Sequence, residues 1–185
     1  MTPFNIQHVA KGLVYNIMEN SQGVQKWSQT VISSSVDTAT HILGYSSLKD
    51  KQKEVIITFL SGNDVFVALP TGYGKSLCYG CLPGAFDILR KTEKMSIVIV
   101  ISPLISLMND QVSSLSSKGV SATFINEASS HEMKLGVLLG DYQLVFFSPE
   151  SLLSRKRWRE LLRHEPYSTH LVALIVDEAH CVKKW

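Results

Sequence analysis

An α/β domain with a parallel sheet flanked by helices is the fold this sequence predicts, on three observations. The chain has 185 residues at 45% hydrophobic content, enough for one domain with a real core plus an appendage and a squeeze for two. From residue 43 onward, apolar strand-like runs alternate with helical ones. Val98-Ile99-Val100-Ile101 and Leu174-Ile175-Val176 are apolar without interruption, as strands covered on both faces must be.

At the N-terminus, Ile6, Val9, Leu13 and Ile17 recur at helical spacing and predict a packing helix. Residues 20–35, rich in Ser, Gln and Asn, read as a loop or linker, and a short helix over 37–43 stops at Gly44. Residues 1–42 are thus expected to be a helical extension and linker, and 43–185 the main domain. In the latter, helices are expected over 50–60, from Lys75, and over 104–118, 130–139 and 149–163. Strands are expected over 64–69, 96–101, 122–125, 144–147 and 171–176.

Composition excludes more than it selects. A net charge of +2 leaves any nucleic-acid contact to a local surface rather than to a global field. No apolar run reaches the roughly 18–20 residues that span a bilayer, and no secretory leader is visible, so no membrane partner is expected. Cys78, Cys81 and Cys181 are odd in number and fit a reducing compartment. Cys78 and Cys81 have knuckle spacing without a second pair, and read as small buried thiols.

Two segments carry chemistry. Leu69-Pro70-Thr71-Gly72-Tyr73-Gly74-Lys75-Ser76 joins an apolar strand to a helix, the context a Walker A phosphate loop requires. Gly72 and Gly74 allow a tight turn whose N–H groups point at phosphate oxygens, with Thr71 and Tyr73 contributing their own backbone. Lys75 can reach the β- and γ-phosphates, and the Ser76 hydroxyl can ligate Mg²⁺. Leu69 replaces the first glycine of the generic pattern, at a place that ends the strand without touching phosphate.

Downstream, Leu174-Ile175-Val176-Asp177-Glu178-Ala179-His180 delivers two carboxylates at the C-terminal end of a strand, where parallel sheets place ligand chemistry. Asp177 suits holding Mg²⁺, and Glu178 suits orienting and deprotonating an attacking water. His180 would couple the site to a neighbouring element. Lys75, Asp177 and Glu178 are the expected catalytic set, with ATP and Mg²⁺ as cofactors.

Over residues 43–185 the order of motifs resembles the RecQ family of helicases. Leu43-Gly44-Tyr45-Ser46-Ser47-Leu48-Lys49-Asp50-Lys51-Gln52 is similar to its adenine-recognition motif. The resemblance implies that Tyr45 stacks on the base and Gln52 reads its edge, with Lys49 where the family usually carries Arg. Ile101-Ser102-Pro103-Leu104-Ile105-Ser106-Leu107-Met108-Asn109-Asp110-Gln111 resembles motif Ia, which implies single-stranded DNA along Ser102, Pro103 and Leu104. Phe147-Ser148-Pro149-Glu150 resembles a further motif, and is equally well explained as a helix cap. Asp177-Glu178-Ala179-His180-Cys181 followed by Trp185 matches the acidic motif and opens the aromatic-rich loop, placing Trp185 near DNA.

The resemblance therefore implies a RecA-like P-loop NTPase fold, and a parent protein that is an ATP-dependent 3′-to-5′ DNA helicase acting on single-stranded and partly duplex DNA. It would be nuclear in a eukaryote and otherwise cytoplasmic. It also implies a second RecA-like domain beyond Trp185 that full activity requires. Two other readings stand beside it: a non-motor nucleotide-binding module needing a partner, and an RNA helicase of the DEAD/DEAH-box group. The run Arg155-Lys156-Arg157-Trp158-Arg159 reads as a solvated helix face, with a nucleic-acid track as the alternative.

Overall fold

The composition of residues 20–35 predicts a loop, yet a helix starts at Gln29. The structure, a computed structural model, describes residues 13–16, 27–70, 72–93 and 95–178. Helix α1 (Gln29–Ile42) is capped by Ser28, whose Oγ accepts from the Val31 N–H at 3.4 Å. Its serines and threonines do not break it, because Ser35 and Thr40 return their hydroxyls to the carbonyls of Ile32 and Val36, both at 2.7 Å. Ile32, Val36 and Ala39 are buried in the same core as the helices after residue 43. The predicted N-terminal helix fails where it can be read: Leu13–Asn16 is strand β1, and Ile6, Val9 and Ile17 lie outside the described residues.

Beyond Gly44 the strand expected over 64–69 is reduced to two residues, the helix expected from Lys75 is divided in two, and an unexpected short helix precedes the last strand. Otherwise the expected elements appear in the expected order. They are α2 (Asp50–Leu60), β2 (Val65–Phe66), α3 (Lys75–Gly80), α4 (Leu82–Arg90), β3 (Ile97–Ile101), α5 (Ile105–Ser116), β4 (Ala122–Ile125), α6 (His131–Leu139), β5 (Leu144–Phe147), α7 (Pro149–Ser154), α8 (Lys156–Leu161), α9 (Tyr167–His170) and β6 (Leu171–Val176). The predicted helix over 149–163 is split at Arg155, whose extended backbone separates α7 from α8. Trp158, carried by α8, is buried edge-on against Phe147 with 5.4 Å between ring centroids. A base-stacking role for Trp158 is thereby corrected, since the indole belongs to the core.

The sheet order is β2-β1-β6-β3-β5-β4. The four strands β6-β3-β5-β4 are parallel, while β1 is antiparallel to both β6 and β2. Strand alternation divides the core in two. Val98, Val100, Leu144, Phe146 and Ile175 face α1, α2, α4 and α5, and Ile99, Ile101, Val145, Phe147, Leu174 and Val176 face the layer holding Val137, Trp158 and Tyr167. Ile101 is in register with both Phe147 and Val176, so residues 102, 148 and 177 leave three neighbouring strands at one edge.

Candidate nucleotide-binding site

The loop between β2 and α3 is built on two left-handed glycines, Gly72 (φ 78°) and Gly74 (φ 92°). A Cβ at Gly72 would meet only open space, so backbone conformation alone demands glycine there. At Gly74 a Cβ would also lie 2.7 Å from the Gln52 side-chain nitrogen. Thr71, expected in the cradle, lies outside the described residues. Helix α3 starts at Lys75 and continues almost directly into α4, since Cys81 between them keeps right-handed helical dihedrals. Ser76 is half-buried in its first turn.

The decisive distance joins this loop to the end of β6. Lys75 Nζ lies 3.9 Å from Glu178 Oε1, with both side chains about a third exposed (34% and 27%). An ion pair this open contributes at most about 1 kcal/mol, weak enough to give way to a multiply charged phosphate. Glu178 has φ 52°, left-handed for a residue with a side chain, a conformation that costs on the order of 1–3 kcal/mol and is characteristic of functional turns. Next to it, burial pushes the Asp177 carboxyl above its ordinary value, and the neighbouring Glu178 adds to the rise. The Glu178 N–H, the Gln111 side chain and the Lys75 ammonium act in the opposite sense. The Glu178 N–H reaches Asp177 Oδ1 at 3.1 Å.

The expected base-recognition residues divide. Tyr45 is 37% exposed and faces a pocket of about 160 Å³ that it shares with Ser76, Leu77, Gln111 and Lys118. Lys118 Nζ stands 4.7 Å from the Tyr45 ring centroid, a partner that the sequence did not suggest. Such an exposed cation–π contact is worth roughly 0.5–1 kcal/mol, little enough for a stacking base to displace. Lys49 lies over the Tyr73 ring at 4.4 Å and also donates to the Tyr73 carbonyl at 3.4 Å.

Gln52 requires correction. Expected to read an adenine edge, it is only 3% exposed. Its Nε2 donates to the carbonyls of Tyr73 and Gly74, both at 3.0 Å, while its Oε1 accepts from the Lys49 N–H at 2.9 Å. Both ends of the amide are thus spent on holding the phosphate loop against α2.

Of the expected nucleic-acid residues, Leu104 is 51% exposed and Pro103 half-buried, but Ser102 is fully buried. The Ser102 hydroxyl has no partner among the described residues, and it presents nothing to a strand outside. Any phosphate contact at this junction falls to Leu104 and the backbone after it. Trp185 and His180 lie outside the described residues. In the basic run, Arg155 pairs with Glu127 at 3.2 Å and Lys156 with Glu160 at 3.4 Å, as on a solvated face. Cys78 and Cys81 are both buried, and burial raises their thiols to about 12 and about 11.

A glycine cradle, a lysine and a carboxylate pair at one sheet edge are what a nucleotide motor needs, and a family model described as DEAD/DEAH box helicase matches residues 49–185. The chain belongs to the DEAD/DEAH box helicase family. This helicase domain is 36% identical over 148 residues to the ATP-dependent DNA helicase RecQ of Haemophilus influenzae, covering 78% of this chain and 22% of that protein. It is 38% identical over 148 residues to RecQ of Synechocystis, covering 78% of this chain and 29% of the relative. Against ATP-dependent DNA helicase Q-like 2 of Arabidopsis thaliana it is 32% identical over 173 residues, 89% of this chain and 23% of the relative. The chain thus spans under a third of the length of these relatives, and among helicases its similarity runs to the RecQ type.

Proposed function

We propose that this chain binds ATP with Mg²⁺ between the phosphate loop and the end of β6, as the nucleotide-binding motor domain of a 3′-to-5′ DNA helicase of RecQ type. The observation that carries the reading is the approach of Lys75 to Glu178, which brings two motifs far apart in sequence to one site. The residues fit the ligand. Left-handed Gly72 and Gly74 leave the loop's backbone clear of side chains, Lys75 supplies a mobile positive charge, and Ser76 and Asp177 supply the hard oxygens that Mg²⁺ prefers. Bound there, Mg²⁺ would neutralise the charge that develops on the transferred phosphoryl group.

The roles of the side chains follow from their placement. Lys75 exchanges the Glu178 carboxylate for phosphate oxygens when the nucleotide arrives, and Glu178 then orients a water and takes its proton. Asp177, whose carboxylate accepts from the Glu178 N–H, would hold the metal. Tyr45 supplies a face for the base once Lys118 moves aside. Single-stranded DNA, and duplex next to it, is the proposed partner along Leu104 and the helix start after it, with Trp185 adding to that path. Such a substrate places the protein in the nucleus of a eukaryote, or in the cytoplasm otherwise.

Nucleotide binding by the chain is the direct test. Lys75→Ala is expected to abolish ATP binding, whereas Glu178→Gln is expected to retain it and to lose hydrolysis in the full-length protein. Unchanged ATP affinity in Lys75→Ala would contradict the site. Competition between DNA and RNA strands separates the DNA reading from an RNA helicase. Strong DNA-stimulated turnover by these 185 residues alone would overturn the proposal that full activity needs a second RecA-like domain.

A further inference from the structure

We infer that Lys49 is a positioning residue for the phosphate loop, acting through Tyr73, and not a contact of the base; the inference rests on the proposed nucleotide reading of the site. The ammonium expected beside the base is engaged elsewhere. Lys49 Nζ stands 4.4 Å from the Tyr73 ring centroid and donates to the Tyr73 carbonyl at 3.4 Å, so it holds both the side chain and the backbone of one loop residue. At Tyr45, the expected base face, the cation is Lys118 instead.

What this grip controls is the aim of the loop's N–H groups. Both peptide bonds flanking Gly74 are trans, and a trans peptide points its C=O and its N–H in opposite directions. Gln52 Nε2 donates to the carbonyls of Tyr73 and Gly74, both at 3.0 Å, and Lys49 adds a second donor to the first of them. With these carbonyls drawn toward the start of α2, the N–H groups of Gly74 and Lys75 are turned the other way, and among the described residues neither is bonded elsewhere. Gly74 has no Cβ to resist rotation of the peptides on either side, so their orientation depends on donors from outside the loop. A phosphate that needs both N–H groups at once binds better when they are aimed beforehand.

The test measures affinity for ATP and for inorganic tripolyphosphate, both with Mg²⁺, in the unaltered chain and in Lys49→Met, Lys49→Arg, Tyr73→Leu and the variant combining Lys49→Met with Tyr73→Leu. Tripolyphosphate carries phosphates without a base, so an effect on the loop appears with both ligands and an effect on the base with ATP alone. Lys49→Met removes the ammonium and keeps the backbone N–H that donates to Gln52 Oε1. An exposed cation–π contact corresponds to about two- to fivefold in affinity, and Lys49→Met should lose about that much toward both ligands. Lys49→Arg should retain the affinity, since a guanidinium also stacks on a ring and donates. In the Tyr73→Leu background Lys49→Met should have a clearly smaller effect, as for two residues acting as a unit.

A loss confined to ATP would overturn the inference by returning Lys49 to the base. An undiminished loss in the Tyr73→Leu background would overturn it by reducing Lys49 to a surface charge, and so would unchanged affinity for both ligands in Lys49→Met. Each of these results leaves the phosphate site standing, because the unaltered chain still binds. Failure of the unaltered chain to bind either ligand would overturn the reading of the site, and the inference with it.

Discussion

Gly74 and Asp177 show how much can depend on one residue. At Gly74 two constraints coincide, a left-handed backbone and the Gln52 amide 2.7 Å from where a Cβ would stand. Gly74→Ala therefore has to strain the backbone and expel Gln52 together, and is expected to cost more than about 1 kcal/mol. In a domain of this size that lowers the melting temperature by roughly 2–4 °C per kcal/mol, readable by thermal denaturation beside a loss of ATP affinity. Asp177 carries the opposite kind of tension. Burial and Glu178 raise its carboxyl above the unfolded value, so protonation is more favourable in the folded chain than in the unfolded one. That contribution is complete below the unfolded carboxyl range and is lost as pH rises through the raised value, leaving an ionised group that burdens the fold at neutral pH. Without metal, Asp177→Asn should melt a few degrees higher than the unaltered chain at pH 7, and the difference should shrink as pH falls toward 4. An equal gap at both values would count against this account.

Among the elements, α8 is the clearest case of packing overriding composition. Its basic residues lie outward while Trp158 and Leu161 go inward. Trp158→Ala removes a side chain 1% exposed and stacked edge-on against Phe147, a loss of about 3–5 kcal/mol. Reversing the charges of Arg155 and Arg157 should instead leave single-strand affinity and its salt dependence unchanged, since Arg155 is paired with Glu127 and Arg157 lies over the Trp158 ring. A salt slope that fell with these substitutions would return the run to the nucleic-acid path. Helix α2 has a comparable double role. It packs Ile56, Phe59 and Leu60 into the core and spends Gln52 on the phosphate loop, so the rigidity of the helix becomes rigidity of the cradle.

For the whole molecule, the position of β1 matters most. Among the described residues β2 joins the sheet through β1 alone, and β1 in turn pairs with β6. The strand that leads into the phosphate loop is thus tied to the strand that delivers Asp177 by a four-residue segment from far earlier in the chain. A chain beginning at Trp27 would keep the four parallel strands and most of both core clusters but lose this tie. Its expected behaviour is a cooperative melt with weakened ATP affinity and faster amide exchange at Val65 and Phe66. Unchanged exchange there would show that the loop is held by Gln52 and α2 without the sheet.

What the sequence determined by itself is whatever depends on neighbours along the chain. The strands Ala122–Ile125, Leu144–Phe147 and Leu171–Val176 and the helix Asp50–Leu60 fall where local apolar patterns put them, and glycines beside Lys75 announce a phosphate loop before any contact is known. Only tertiary structure decided the rest. Helix α1 through a serine-rich stretch, β1 in place of a helix, the inward turns of Ser102 and Trp158, and Gln52 facing the loop all depend on what lies across the core. The Tyr79–Gln111 hydrogen bond joins α3 to α5 with no shared local pattern to betray it. Hydrogen-bond partners of buried polar groups are settled by which surfaces meet, and that information is spread over the fold rather than written at any one position.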